Sequence, residues 1–117
     1  MGIIMSELIE QLASDLGITV RPQGGLRLIR SQDCEEIVQA CKSNALLILG
    51  IEAFILTDGK VVPEMELIAD YSELASKDWD AACFEAAQSA ESYFGQAKDR
   101  TELWFDFCLK RRCISLK

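Results

Sequence analysis

Ala45-Leu46-Leu47-Ile48-Leu49-Gly50-Ile51-Glu52-Ala53-Phe54-Ile55-Leu56 is the longest nearly unbroken apolar run in the chain, and Glu52 is its only charge. A half-buried strand would alternate apolar with polar residues. This run reads instead as a strand covered on both faces, hence a central one. Periodicity alone leaves a buried helix open. Gly50, the β-branched Ile48, Ile51 and Ile55, and the Asp58-Gly59 turn just beyond all favour extended chain.

Downstream, Asp58-Gly59 turns the chain into Lys60-Val61-Val62, the strongest local hairpin signal present. Pro63 cannot donate a ladder hydrogen bond, so the returning strand lies at an edge or bends there. Met65, Leu67, Ala69 and Tyr71 then alternate with Glu64, Glu66, Ile68 and Asp70, which suits a continued strand. Pro63 followed by two glutamates would also start a helix; the extended reading is adopted. Ser76 to Phe94 is the clearest helix, with Trp79, Ala82, Cys83, Ala86, Ala90 and Phe94 at helical spacing. Ser76 or Asp78 stands at its front and Gly95 just past its end. Thr101 to Lys110 closes the chain as a strand, with Leu103, Phe105, Phe107 and Leu109 on one face and Trp104, Asp106, Cys108 and Lys110 on the other.

Upstream, Asp33 and Glu36 form a capping-box-like pair ahead of a helix whose buried stripe is Cys34, Ile37, Val38 and Cys41. Lys42 suits its last turn, and Asn44 suits a left-handed terminator. Leu26 to Arg30 alternates as a strand with one wet face. Strand, helix and apolar run in that order predict a βαβ unit with parallel strands and a right-handed crossover. Ile18 to Arg21 is expected as a short edge strand, ended by Pro22 and the Gln23-Gly24-Gly25 turn. Neither nucleotide-binding glycine framework is present, so the paired glycines carry no phosphate-loop signal. Met1 to Gly17 reads as an amphipathic helix with Met5, Leu8, Ile9, Leu12 and Leu16 on one stripe and Gly17 as its stop. Met1 to Ser6 also fits the short myristoylation pattern, although a fold-stabilising helix explains the same residues. The expectation is one α+β domain over residues 1–117. Its sheet is mixed and mainly antiparallel, of about four to five strands, with two to three helices packed on one face.

Composition narrows the function. The chain has 117 residues, half of them hydrophobic, with two prolines and a formal net charge of −7. That is an ordered globular composition with room for one core. The longest apolar run is too short to span a bilayer, and acids within the N-terminal pattern argue against a secretory signal, so a cytoplasmic location is expected. Five cysteines without Cys-x-x-Cys spacing suit small core residues better than disulfides or zinc ligands. There is no histidine, which removes Ser-His and Cys-His nucleophile activation and imidazole metal ligation. Binding without catalysis, and without a cofactor or metal, is therefore the expected class. Glu64, Glu66 and Asp70 would suit Mg²⁺ or Ca²⁺ in chemistry, but no glycine-punctuated loop or phosphate cradle accompanies them. Glu52 is expected to carry a raised pKa, or to pair with Arg27 or Arg30, or to be exposed at a bulge near Gly50. The basic end Lys110-Arg111-Arg112 with Lys117 is too small a cluster on an acidic chain to suggest nucleic-acid binding.

The charge is uneven. Between Pro63 and Glu91 lie eight acids (Glu64, Glu66, Asp70, Glu73, Asp78, Asp80, Glu85, Glu91) and one base, Lys77, while the rest balances at eleven acids against eleven bases. The same stretch holds Met65, Tyr71 and Trp79, with Tyr93 just past its end. Acids interleaved with large aromatics suit capture of a basic protein partner, since carboxylates steer encounter and aromatics anchor it. A solvated helix face with core aromatics accounts for the same pattern. The candidate partner-binding residues are Glu64, Glu66, Asp70, Tyr71, Asp78, Trp79 and Asp80. A competing reading is a structural or regulatory module that self-associates, as a homodimer, through a sheet edge near residues 60–71.

Leu49-Gly50-Ile51-Glu52, the Asp58-Gly59 hairpin and Val62-Pro63 running into Leu67-Ile68-Ala69-Asp70-Tyr71-Ser72 resemble segments of small acidic immunity proteins from bacterial toxin/immunity systems. The likeness covers about two dozen residues. It implies a cytoplasmic one-domain inhibitor that covers the active site of a cognate toxin, often a basic nuclease. It carries over no catalytic residue.

Overall fold

The structure is a computed structural model, described here over residues 5–112. The myristoylation-like start before Met5 and the end from Cys113, including Lys117, lie outside the described residues. The elements in order are α1 (Met5–Leu16), β1 (Arg21–Gln23), β2 (Leu26–Arg30), a 3₁₀ turn (Ser31–Asp33), α2 (Cys34–Ser43), β3 (Leu47–Thr57), β4 (Lys60–Asp70), a second 3₁₀ turn (Ser72–Ser76), α3 (Trp79–Ala97) and β5 (Leu103–Lys110). The five strands make one sheet in the order β1-β2-β5-β3-β4, and every pairing is antiparallel.

The α+β class is as the sequence reads, but the βαβ unit is not. β2 and β3 do run in the same direction, since both are antiparallel to β5, yet β5 lies between them and no parallel ladder forms. β3 is long and paired on both sides, but its two faces differ. Ile48, Ile51 and Ala53 are buried on the helix side, whereas Glu52 is exposed on the other. The expectation of cover on both faces fails because all three helices pack against one face.

That face carries the core. β5 contributes Leu103, Phe105, Phe107 and Leu109, all buried. Onto them fall Leu8, Ile9, Leu12 and Ala13 from α1, the Cys34, Ile37, Val38 and Cys41 stripe from α2, and Ala82, Cys83, Ala86, Ala87 and Ala90 from α3. The alanine-rich face of α3 lets it approach closely, while Tyr93, Phe94 and Phe105 meet edge-on.

Local endings differ from their sequence signals in instructive ways. Gly17 takes φ 73 and stops α1, with Ile18 N–H bonding Ala13 O at 2.8 Å. Asp33 makes no side-chain cap; it closes a 3₁₀ turn that feeds α2 directly. Asn44 is not the left-handed residue either. Its side chain bonds back to Ala40 O at 2.8 Å, and Ala45 takes φ 53 instead. Asp78 does cap α3, accepting from Ala81 N–H, but the helix runs through Gly95 to Ala97. Edge strand β1 begins at Arg21 and includes Pro22, later than expected.

β4 is the other edge. It is extended throughout, as read, but not regular. Phe54 pairs with Pro63 and Glu52 with Ile68, so Ala53 alone faces the four residues 64–67. This wide bulge flips the alternation. Val62, before it, shares the helix side with its partner Ile55; Ile68, after it, shares the open side with Glu52. α3 fastens the bulge: Tyr93 Oη donates to Leu67 O at 2.6 Å, and Arg100, beyond the helix, pairs with Glu64 at 3.2 Å.

The helix-free face is not flat. Leu28 and Phe54 point to it by register, yet both are buried and neither belongs to the main core. Gln23, at the tip of the β1–β2 hairpin, donates from Nε2 to Gly59 O at the tip of the β3–β4 hairpin, 3.0 Å away. These tips are diagonal corners of a five-stranded sheet. The ordinary strand twist carries such corners toward each other on one face, and their meeting roofs the small apolar cluster. Arg21 adds to it by stacking over Trp104 at 5.5 Å.

Candidate functional site

The sequence-derived residues do not form one continuous set. Glu64 is half-buried and committed to Arg100. Asp78 caps α3. Trp79 is half-buried, packs on the core and donates from Nε1 to Ala45 O at 2.9 Å, tying the start of α3 to the strained α2–β3 turn. Tyr71 also packs on the core, and burial raises its pKa. Four of the seven thus hold the protein's own fold together. Elsewhere in the acidic stretch, Glu85 pairs with Lys77 and Glu91 accepts from Gln39. Asp80 is exposed and forms no ion pair among the described residues; its charge, after burial, raises the pKa of the nearby Cys83 thiol.

Glu66 and Asp70 are likewise exposed carboxylates that form no ion pair among the described residues. Asp70 is fixed in place: hydrogen bonds from the Ser72 hydroxyl and amide, the latter at 2.9 Å, hold its carboxyl below the usual range. It borders an open concavity of about 320 Å³ on the helix-free face, with Gly50, Glu52, Ile68, Asp106 and Cys108. Glycine suits this wall, because a Cβ at Gly50 would sit 3.0 Å from the Ala69 carbonyl, a tight contact that β4 would have to yield to by a few tenths of an ångström.

The register explains how the three carboxylates gather. Glu52 on β3 lies directly opposite Asp106 on β5, and one step along the same face Gly50 stands between Cys108 and Asp70. Directly opposed like charges destabilise a ladder. Among the described residues no cation forms an ion pair with either carboxylate, Arg27 and Arg30 included; the Arg27 charge acts on Asp106 only as a minor, opposing influence. The Arg27 guanidinium turns to the helix side, where Nε lies 3.0 Å from Glu10, near enough for an ion pair but without hydrogen-bond alignment. Asp106 is held by the Arg27 amide at 3.1 Å, yet its pKa is raised, by burial first and by the Glu52 charge in addition. The Cys108 thiol is likewise pushed up, by burial and then by Asp106, Glu52 and Asp70.

Reasoning from sequence missed Glu52 and Asp106 as a pair, because each looks unremarkable in its own strand. The usable signals were the lone charge in the apolar run and the acid on the wet face of the last strand. Their meeting depends on β5 entering the sheet beside β3. Among the described residues no group of three acids or thiols is arranged to hold a metal ion, and no helix is long and apolar enough to cross a membrane. Comparison with protein-family models, curated proteins and solved structures finds no match.

Proposed function

We propose that this chain is a non-enzymatic binding protein that holds a basic protein partner, and that the acidic concavity of Glu52, Asp70 and Asp106, with Glu66 beside it in sequence, is where the cationic groups settle. The resemblance to immunity proteins suggests the kind of partner: a basic toxin domain neutralised in the cytoplasm. One observation carries the reading, the direct cross-strand opposition of Glu52 and Asp106, with no ion pair to either among the described residues. A fold gains nothing from facing two carboxylates across a ladder, whereas a bound lysine or arginine would relieve the repulsion only in the complex. Proteins retain such local conflicts where function needs them.

The test separates stability from binding. Glu52→Lys places a cation opposite Asp106, so the variant should fold with stability raised by about 0.5–1 kcal/mol while losing its partner. With unaltered protein and the variant as baits, a basic protein should be retained by the first and lost by the second, and its association should slow as salt rises. Equal capture by both baits rejects the reading.

A further inference from the structure

We infer that the partner is held by strand addition: an extended segment with Lys or Arg at alternate positions pairs with the free edge of β4 over Leu67–Asp70. This rests on the reading just given and specifies its mode. β4 is an outer strand, and among the described residues no further strand pairs with its outer edge. Tyr71 N–H bonds Leu49 O at 2.7 Å, which sets the phase of the ladder. Residues 69 and 71 bond inward to β3, and Ile68 and Asp70 therefore present N–H and C=O outward. The first half of the same edge is the poorer template, because the two-residue turn at 58–59 puts Pro63 in an outward phase beside Val61, and Pro63 has no N–H to offer. The half beyond the bulge keeps both of its outward donors.

That half lies beside the concavity. Ile68 and Asp70 share the helix-free face with Glu52 and Gly50, so the residues facing them on an added strand point to the same side. A lysine or arginine there lays its aliphatic stem on Ile68, which is 46% exposed, and sets its charge by Asp70 and Glu52. Charge also decides against a second copy of this chain. Two such edges paired antiparallel set the Asp70 carboxylates of both copies along one short ladder and supply no cation to either concavity, and like charges on a shared ladder repel. Main-chain pairing gives affinity and the alternate side chains give selectivity.

A blocked peptide alternating Lys with Thr is the probe, titrated into the isotope-labelled protein by NMR. Amide shifts should concentrate at Leu67–Asp70 and around Glu52 and Asp106, and a Glu-Thr peptide should cause none. The same Lys-Thr peptide, N-methylated along the backbone edge that would face β4, keeps its charge but loses its donors; it should bind about tenfold more weakly. Ile68→Pro removes an outward N–H of the protein and should weaken binding similarly. If the methylated and parent peptides bind alike, or shifts fall elsewhere, or the Lys-Thr peptide does not bind, strand addition is overturned. If methylation has no effect while Glu52→Lys abolishes binding, strand addition fails and the acidic-surface reading survives. A dimer seen by sedimentation that Ile68→Pro dissociates would assign this edge to self-association instead.

Discussion

At the scale of single residues, the informative groups are those that act against their own surroundings. Asp106 is the clearest. Its folded-state pKa lies above the unfolded value near 3.8, through burial and then the Glu52 charge. For an acid shifted upward, the stabilising contribution is complete below the unfolded pKa and is lost as pH rises through the folded one. Asp106→Asn should therefore raise stability at neutral pH by a few tenths of a kcal/mol, a melting shift of about 2 °C, and the gain should disappear in acid. Melting curves across that range check it; a gain that persists at low pH would show that the carboxylate charge is not the cause. Ala45 illustrates the other kind of conflict, a left-handed alanine held by the Trp79 indole, which turns a presumed interface anchor into a brace.

Among the elements, β4 is the one whose behaviour exceeds its sequence. Extended chain, the turn at 58–59 and the edge position were all legible from Asp58-Gly59, Pro63 and the alternation after it. The bulge was not, because it depends on a mismatch with β3 and on the reach of Tyr93 from α3, both distant in sequence. The stripes of α1, α2 and α3 and the alternation of β5 were legible for the opposite reason, since periodicity is local. Boundaries slipped where a short-range cap signal was overruled, as at Asp33, Asn44 and Gly95. Tyr93→Phe keeps the aromatic packing but drops the bond to Leu67 O, a loss of about 1–2 kcal/mol. Hydrogen exchange should then quicken along 64–70 more than in β3 or β5. Uniform acceleration across the sheet would mean that Tyr93 stabilises the whole fold rather than the bulge.

For the whole molecule, pairing order was the part that no local pattern encodes. A strand–helix–strand sequence predicts neighbours, yet the final strand separates them, and with it comes the juxtaposition of Glu52 and Asp106 that makes the candidate site. The twist of the sheet adds a second global feature, the contact of the two hairpin tips. Gln23→Ala removes it. The expected cost is about 1 kcal/mol, with faster exchange at Leu28 and Phe54 and little change in the helix-side core. A loss of cooperativity in the main core instead would mean that the corners hold more than the small cluster beneath them.

The place of β5 also sets a timetable for synthesis. Everything emerging from the ribosome before residue 103 amounts to two separate hairpins and three helices with an unfilled slot between β2 and β3. The sheet can close only once β5 has been made and inserts between them, so its joining step is a late, long-range contact rather than a local one. Until then the Ala45–Leu56 segment, the longest apolar run of the chain, has one edge uncovered, and a bare apolar edge is a template for wrong pairing.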